Sequence, residues 1–439
     1  MSFERTFCSS PWYHMRITPA GHFQFCRNQT KTIEKNFKEI ANSPTIMDIS
    51  PIDFFQNTMS GYRKKILDGE VLDECKDCYL QEEHKQVSGR QKQLLKTGVS
   101  LDQFEKTLVS SPTFEKFKQS MDNGYTDLLP IDWQIDLGNQ CNGRCVYCTP
   151  YYSSSLANEF KKIGLIKEVP PKAWTENEEA VDRFVDILKN TPKLCYLHFL
   201  GGETVTMPSF KKILKALVKT EVCDNVSIGL TTNLTVWDQE IADLLSQFKE
   251  INLGLSVECF TELNDYLRYP SKINEVRATI ERWLVHSSEN KNSWLISLRV
   301  TATCLSILHL DTVYEYAYEN NIGVESCNFL TEPKFMRISV LPPEIRKMAI
   351  NRLSFWIASK EIFKNNEQIV NVRNPSTIKQ AVLQDAHSYL NYLENQPDES
   401  SELNNLIIYL KKLEISRNNS ILDYLPEYEK LFRNTGYDV

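Results

Sequence analysis

The chain has 439 residues, of which 41% are hydrophobic and 24% charged, with a formal net charge of −7. That length can bury a large core and suggests two to three domains. No block of Lys/Arg marks a nucleic-acid surface, and no apolar run approaches the ~18 residues of a membrane span. The first residues, Met-Ser-Phe-Glu-Arg-Thr, lack the basic and apolar regions of a signal peptide. A cytoplasmic location is therefore expected, with neither nucleic acid nor membrane as partner. Twelve cysteines in such a chain point to metal or redox use rather than disulfides.

Residues 1–90 read as a small cysteine-rich segment. Cys8 opens it. Tyr13–Ile17 and His22–Cys26 read as two short strands, joined by Thr18-Pro19-Ala20-Gly21, whose Pro and Gly suit a tight turn. Met59–Leu67 reads as a helix that Gly69 stops. Cys75-Lys-Asp-Cys78 follows. Cys8, Cys26, Cys75 and Cys78 suit either an all-cysteine iron–sulfur site or a structural zinc. Residues 91–130 read as a helical connector, with Phe104, Leu108, Phe114, Phe117 and Met121 on an apolar face broken at Pro112.

From 131 to 335 strand and helix patterns alternate. Strands are expected at Ile131–Leu137, Leu194–Leu200, Asn225–Leu230, Ile251–Val257, Trp294–Thr301 and Gly323–Phe329. Helices are expected at Glu176–Lys189, Ser209–Thr220, Asp238–Phe248, Ile273–Trp283 and Asp311–Glu319. This alternation predicts an α/β fold with a parallel sheet, as a partial (β/α)6 barrel with its site at the carboxyl ends of the strands.

The first of those ends carries the most specific signal. Cys141, Cys145 and Cys148 sit at spacing C-x3-C-x2-C on one short loop after Gly138-Asn139. Three close thiolates can hold a [4Fe–4S] cube and leave one iron open. Zinc would normally want a fourth nearby ligand, and the loop offers none. At later strand ends lie Gly201-Gly202-Glu203, Thr232-Asn233, Ser256, Glu258 and Arg299. Polar groups there can serve a bound ligand or cap adjacent loops. Tyr266 and Arg268 fit either the substrate side or a surface helix. Cys195, Cys223, Cys259, Cys304 and Cys327 read as small core residues, with Cys259 and Cys304 the ones placed to face a substrate.

Cys141, Cys145 and Cys148, with Tyr147 before the last thiol, resemble the signature of the radical S-adenosylmethionine (radical SAM) enzymes. The resemblance implies that SAM chelates the open iron through its amino and carboxylate groups. One electron then cleaves SAM to methionine and a 5′-deoxyadenosyl radical, which abstracts hydrogen from substrate. Gly201-Gly202-Glu203 is similar to the family's motif for the SAM amino group, with Thr204 where Pro often follows. By the same resemblance Ser256 faces the ribose, Arg299 the SAM carboxylate and Tyr147 the adenine, with Thr232, Asn233 and Glu258 as further contacts. Cys8, Gly21, Cys26, Cys75 and Cys78 resemble the twitch domain, the short form of the SPASM auxiliary-cluster domain. Twitch domains usually follow the core; here the pattern precedes it. It implies a second cluster, fully held by four cysteines, that serves electron transfer. Members with such domains modify peptides, sugars or other metabolites, so a small-molecule or peptide substrate and an electron donor such as flavodoxin or ferredoxin are the expected partners. No catalytic side chain is assigned.

Residues 336–439 read as a helical cap, with Ile345, Met348, Leu353 and Ile357, then Leu403, Leu406, Leu410 and Leu413, at helical spacing. Two rival readings stand beside the enzyme. One is a non-catalytic iron–sulfur protein on the same fold. The other is a zinc-stabilised interaction module with these helices as its partner surface.

Overall fold

A computed structural model describes residues 6–26, 44–83, 88–91, 120, 122–326, 329–330, 332–361 and 375–435. Most of the expected connector over 91–130, including Phe104, Leu108, Phe114, Phe117 and Met121, lies outside the described residues, as does Cys327.

The strands are β1 (His14–Ile17), β2 (Phe23–Gln24), β3 (Asp132–Asp136), β4 (Tyr196–Leu200), β5 (Ser227–Thr232), β6 (Glu250–Ser256), β7 (Ser293–Arg299) and β8 (Gly323–Glu325). They form one sheet in the order β2-β1-β3-β4-β5-β6-β7-β8. From β3 onward each strand lies beside its successor in the chain, as in a barrel wall. Parallel pairing is seen for β1 with β3, β3 with β4 and β7 with β8; β1 and β2 pair antiparallel. Helices fill the connections: α1 (Ser60–Leu67), α2 (Lys76–Glu83), α3 (Ser154–Lys162), α4 (Glu178–Lys189), α5 (Pro208–Val218), α6 (Gln239–Leu245), α7 (Leu263–Leu267), α8 (Ile273–Glu289) and α9 (Leu310–Asn320). The last part is helical: α10 (Pro343–Glu361), α11 (Pro375–Glu394), α12 (Leu403–Arg417) and α13 (Glu429–Asn434). The mixed α/β class, the sheet of parallel units and the helical C-terminal part follow the expectation. No helix among the described residues is long and apolar enough to cross a membrane.

By contacts the chain divides into two compact units. The first is Met1–Gln140, Pro170–Gly229 and Asp243–Ile251; the second is Cys141–Val169, Leu230–Ala242 and Asn252–Val439.

In the first unit the N-terminal hairpin is not a free-standing piece. Its turn forms as expected: Gly21 N–H donates to Thr18 O at 2.8 Å, with Gly21 at φ +90°. A non-glycine residue there would sit in the left-handed region. β1 then joins β3 with His14 opposite Asp132 and Ile17 opposite Ile135. Buried polar pairs fix that register. His14 Nδ1 lies 2.8 Å from Asp132, and Arg16 Nη2 lies 2.6 Å from Asp136. An ion pair with both partners buried has little worth if slipped by one residue, because each charge would be left alone in the core. Trp133, Ile135, Leu197 and Phe199 supply fully buried apolar faces of β3 and β4. α4 and α5 pack side by side, each with an apolar face: Val181, Phe184 and Leu188 on one, Phe210, Ile213 and Leu217 on the other.

In the second unit Leu253, Leu255 and Leu298 are fully buried strand residues, and Val313, Tyr314 and Ala317 bury one face of α9. α9, α10 and α11 pack on one another. Tyr314 Oη donates to Asp385 on α11 at 2.8 Å, which ties this helical layer to α9.

Candidate cluster and cofactor sites

The cysteine loop, Cys141–Cys148, has a backbone whose carbonyls are taken one after another. Ser155 Oγ donates to Cys141 O at 2.6 Å and Ser153 Oγ to Gly143 O at 2.8 Å. Arg417 Nη2 donates to Arg144 O at 2.8 Å, and Tyr409 Oη to Val146 O at 2.5 Å. Cys148 N–H donates to Cys145 O at 3.1 Å. The amides of Arg144 and Val146 donate to Tyr269 O at 2.7 Å and Leu267 O at 2.8 Å. An irregular loop keeps one shape when its backbone groups are satisfied in this way.

That shape keeps the thiols in one neighbourhood. A Cβ on Gly143 would stand 3.6 Å from Cys141 Sγ and 3.8 Å from Cys145 Sγ. Burial pushes the Cys148 thiol up, and the nearby Cys145 and Cys141 push it further. Such mutual repulsion is relieved when a cation takes the sulfurs as thiolates. Gly143 N–H donates to Cys141 Sγ at 3.3 Å, and Asn233 Nδ2 lies 4.0 Å from the same sulfur. Among the described residues no group of three His, Cys, Asp or Glu side chains is placed to hold a metal ion. A four-iron cube is wider than one ion and takes its thiolates further apart, so three neighbouring thiols with N–H donors on a sulfur suit it.

Around the loop, Asn233 plays the part of a strut. Its Nδ2 donates to Asn142 Oδ1 at 2.8 Å, and its Oδ1 accepts from Thr235 N–H and Oγ1 at 3.0 and 2.6 Å. The Thr232 hydroxyl caps Leu234 N–H at 3.2 Å. Tyr147 Oη donates to Glu258 Oε1, and Arg268 Nη1 donates to Tyr147 Oη. Arg268 Nη1 also reaches Glu258 Oε1 at 3.0 Å, and Thr301 N–H donates to Glu258 Oε2 at 2.9 Å. Burial pushes the Glu258 carboxyl up to about 7 against the pull of Arg268. Arg268 is thus no surface residue. It is 8% exposed and belongs to a buried network with two residues of the expected site. Its companion Tyr266 donates instead to Glu414 at 3.1 Å. Arg299 pairs with Glu325. Ser256 ends β6, half-buried. Cys259 and Cys304 are fully buried, as core cysteines.

In the first unit Gly201, Gly202 and Glu203 follow β4. Gly202 N–H donates to Gly138 O at 2.9 Å and Glu203 N–H to Gln140 O at 2.8 Å. A Cβ on Gly202 would meet Gln140 O at 2.1 Å. The glycines therefore serve a close approach of two backbone segments. Buried Glu203 accepts from Val205 N–H at 3.2 Å.

The four N-terminal cysteines meet in this unit too. Burial raises the Cys8 thiol well above its ordinary value, and Cys26, Cys75 and Cys78 are all near enough to add to the rise. Cys75 is pushed up to about 12 by burial and by Cys26 and Cys78. Arg90 braces the group: it pairs with Glu82 and donates through Nη1 to Phe7 O at 2.9 Å, next to Cys8. Of the expected core cysteines, Cys223 is buried. Cys195 is exposed, since it precedes β4, with its Sγ 3.2 Å from Ile131 O.

Sequence reasoning passed over Glu159, Arg417 and Tyr409 around the loop, and Arg90 beside the four cysteines. Ser153 and Ser155 lie close enough to the loop in sequence to be found as caps. Nothing local marks Arg417 or Tyr409.

Residues 135–290 match the model of the Radical SAM superfamily. The match is to that stretch, about a third of the chain. It holds the three loop cysteines, β4, β5, β6, Gly201–Glu203 and Arg268. The family implies a [4Fe–4S] cluster and SAM. No curated protein matches the chain. Among solved structures the chain is similar to native anSMEcpe with bound AdoMet (20% identity, TM-score 0.38, 56% of this chain and 64% of that one). It is also similar to Streptococcus suis SuiB bound to S-adenosylmethionine (15% identity, TM-score 0.35, 67% and 65%). The chain spans under two thirds of the length of these structures.

Proposed function

We propose that the chain is a radical SAM enzyme whose [4Fe–4S] cluster is held by Cys141, Cys145 and Cys148. The observation that carries this is a loop with three neighbouring thiols and a satisfied backbone, inside the matched stretch. With SAM on its open iron, such a cluster supplies a one-electron cleavage that yields a hydrogen-abstracting 5′-deoxyadenosyl radical. The protein's own part is binding and shielding. Gly201, Gly202 and Glu203 offer backbone and carboxylate acceptors for the SAM ammonium. Arg299 offers its guanidinium to the carboxylate, and Ser256 its hydroxyl to the ribose. Tyr147, held by Glu258 and Arg268, presents its ring to adenine, while Thr232 and Asn233 shape the adjoining wall.

Cys8, Cys26, Cys75 and Cys78 are proposed to hold a second, fully ligated iron–sulfur cluster in a twitch-like arrangement. The closeness of the four thiols, which with burial raises Cys8 and Cys75, supports that reading, and full ligation favours electron transfer over substrate binding. The substrate class is a peptide, sugar or other metabolite, and the reductant a flavodoxin or ferredoxin in the cytoplasm.

Anaerobic reconstitution followed by iron, sulfide and 5′-deoxyadenosine measurement tests the reading. Two cubes give about eight irons per chain, and dithionite with SAM gives 5′-deoxyadenosine. Changing Cys141, Cys145 and Cys148 together to Ala abolishes that product. Cleavage surviving in the triple variant, or zinc without sulfide, overturns the assignment.

A further inference from the structure

The C-terminal helix α12 is more than a cover. Tyr409 and Arg417 lie two turns apart on it, and both are buried, at 7% exposure each. Each sends a donor to the cysteine loop. Tyr409 Oη takes Val146 O, and Arg417 Nη2 takes Arg144 O. Those carbonyls belong to the two residues flanking Cys145. The helix therefore grips the loop on either side of its middle ligand.

Arg417 is itself aimed from two sides. Its Nε and Nη2 lie 3.1 and 2.7 Å from Glu159 Oε1 and Oε2 on α3, a bidentate pair with both side chains buried. Its guanidinium stacks over the Tyr269 ring at 5.0 Å, and Arg144 stacks on that ring at 4.7 Å. Tyr269 O accepts the Arg144 amide. Ser416 adds a hydrogen bond to Glu159 at 3.0 Å. Without the helix, the buried Val146 carbonyl and the part-buried Arg144 carbonyl would lose these donors, and buried carbonyls without partners are rare.

We infer that Arg417 and Tyr409 are positioning residues for the iron–sulfur cluster: by holding the Arg144 and Val146 carbonyls they set the ligating shape of the Cys141–Cys148 loop before any metal arrives. The inference rests on the cluster reading above, but its first readout does not need the cluster. Tyr409→Phe keeps the ring and removes the donor. Arg417→Lys keeps the charge and removes the fork. Hydrogen exchange on the metal-free full-length protein then reports the loop alone, with α4 and α5 as internal references.

Either variant is expected to speed exchange of the 141–148 amides about five-fold, the equilibrium effect of one net hydrogen bond, and to leave α4 and α5 unchanged. After anaerobic reconstitution and desalting, the variants should retain less iron than wild type and show a shifted midpoint potential for the loop cluster, with Arg417→Lys milder than Arg417→Ala. Unchanged loop exchange in both variants overturns the inference whatever the iron content. So does exchange that rises equally throughout the chain, because the helix then serves global stability. A wild-type protein that takes up no iron overturns the cluster reading instead, while the exchange result still decides whether the grip exists.

Discussion

Arg299 on β7 and Glu325 on β8 occupy opposed positions of the parallel register and form an ion pair. Arg299 is the residue proposed to receive the SAM carboxylate, so an incoming carboxylate must compete with one already in place. Glu325 is half exposed, with its side chain at 49%. A pair so open to water contributes only about 0–1 kcal/mol, and a ligand can displace it. Removing the competitor should therefore help. Glu325→Gln is expected to tighten SAM binding to the reconstituted protein by about two- to five-fold, the equivalent of that energy. Arg299→Ala should weaken it by about ten-fold or more through loss of a charge-assisted pair. Anaerobic equilibrium dialysis reads both. Equal affinity in all three proteins would remove Arg299 from the site.

The four N-terminal thiols can be separated from the loop thiols by a similar subtraction. Cys8→Ala together with Cys75→Ala should lower the reconstituted iron content from about eight to about four per chain, one cube's worth. Because the Cys141–Cys148 loop draws none of its described backbone bonds from these residues, uncoupled SAM cleavage should persist in that variant. Substrate turnover should fail if the second cluster carries the departing electron. Iron content unchanged by the double substitution would show that these cysteines hold no cluster.

The Glu159–Arg417 pair has a pH signature. Burial alone would raise the Glu159 carboxyl, but the hydrogen bonds and charge of Arg417, with Arg144 and Ser416, hold it below its ordinary value. A carboxyl depressed on folding contributes stability above its unfolded pKa of about 4.3 and loses it as pH falls through the lower folded value. The metal-free protein should thus lose thermal stability on acidification from pH 5 downward. Glu159→Gln should cost about 3–5 kcal/mol near pH 7, where it strands a buried guanidinium, and should flatten that acid limb. Melting temperatures of both proteins between pH 3 and 7 check this; parallel curves would show that another group governs the limb.

What the sequence made legible follows the range of its signals. Strand and helix periodicity is local, and β3 to β8 fell within a few residues of expectation. Cysteine spacing is local too, and it is what singles out both thiol groups as candidates. The pairing of β1 with β3 was not legible, because Arg16 and Asp136 gain meaning only once they face each other. Neither was the grip of α12. Leu406, Leu410 and Leu413 announce an amphipathic helix, but Tyr409 and Arg417 look like ordinary members of it until Val146 and Arg144 are brought beside them. Arg268 could be read as a surface charge for a similar reason: Tyr147 is distant in sequence, and Glu258, though near in the chain, lies on a different element and meets Arg268 only in the fold.

Two glycines make opposite predictions, and the contrast tests what Gly202 is for. Gly61 lies in α1, and a Cβ there meets nothing within 4 Å. Gly61→Ala should stabilise the protein by about 0.5–1 kcal/mol, since a helical glycine gives up more backbone freedom on folding than alanine does. At Gly202 the same Cβ would meet Gln140 O at 2.1 Å and Gln140 C at 2.4 Å. Those atoms are backbone and cannot rotate aside. The Glu203–Gln140 and Gly202–Gly138 hydrogen bonds must then lengthen or break. Gly202→Ala should therefore destabilise the metal-free protein by about 1–3 kcal/mol, the range for overpacking a closed site. Chemical denaturation of the two variants without SAM or iron measures both effects. A Gly202→Ala protein as stable as wild type, but impaired in SAM binding, would move the need for glycine from the backbone of residues 138–140 to the ligand itself.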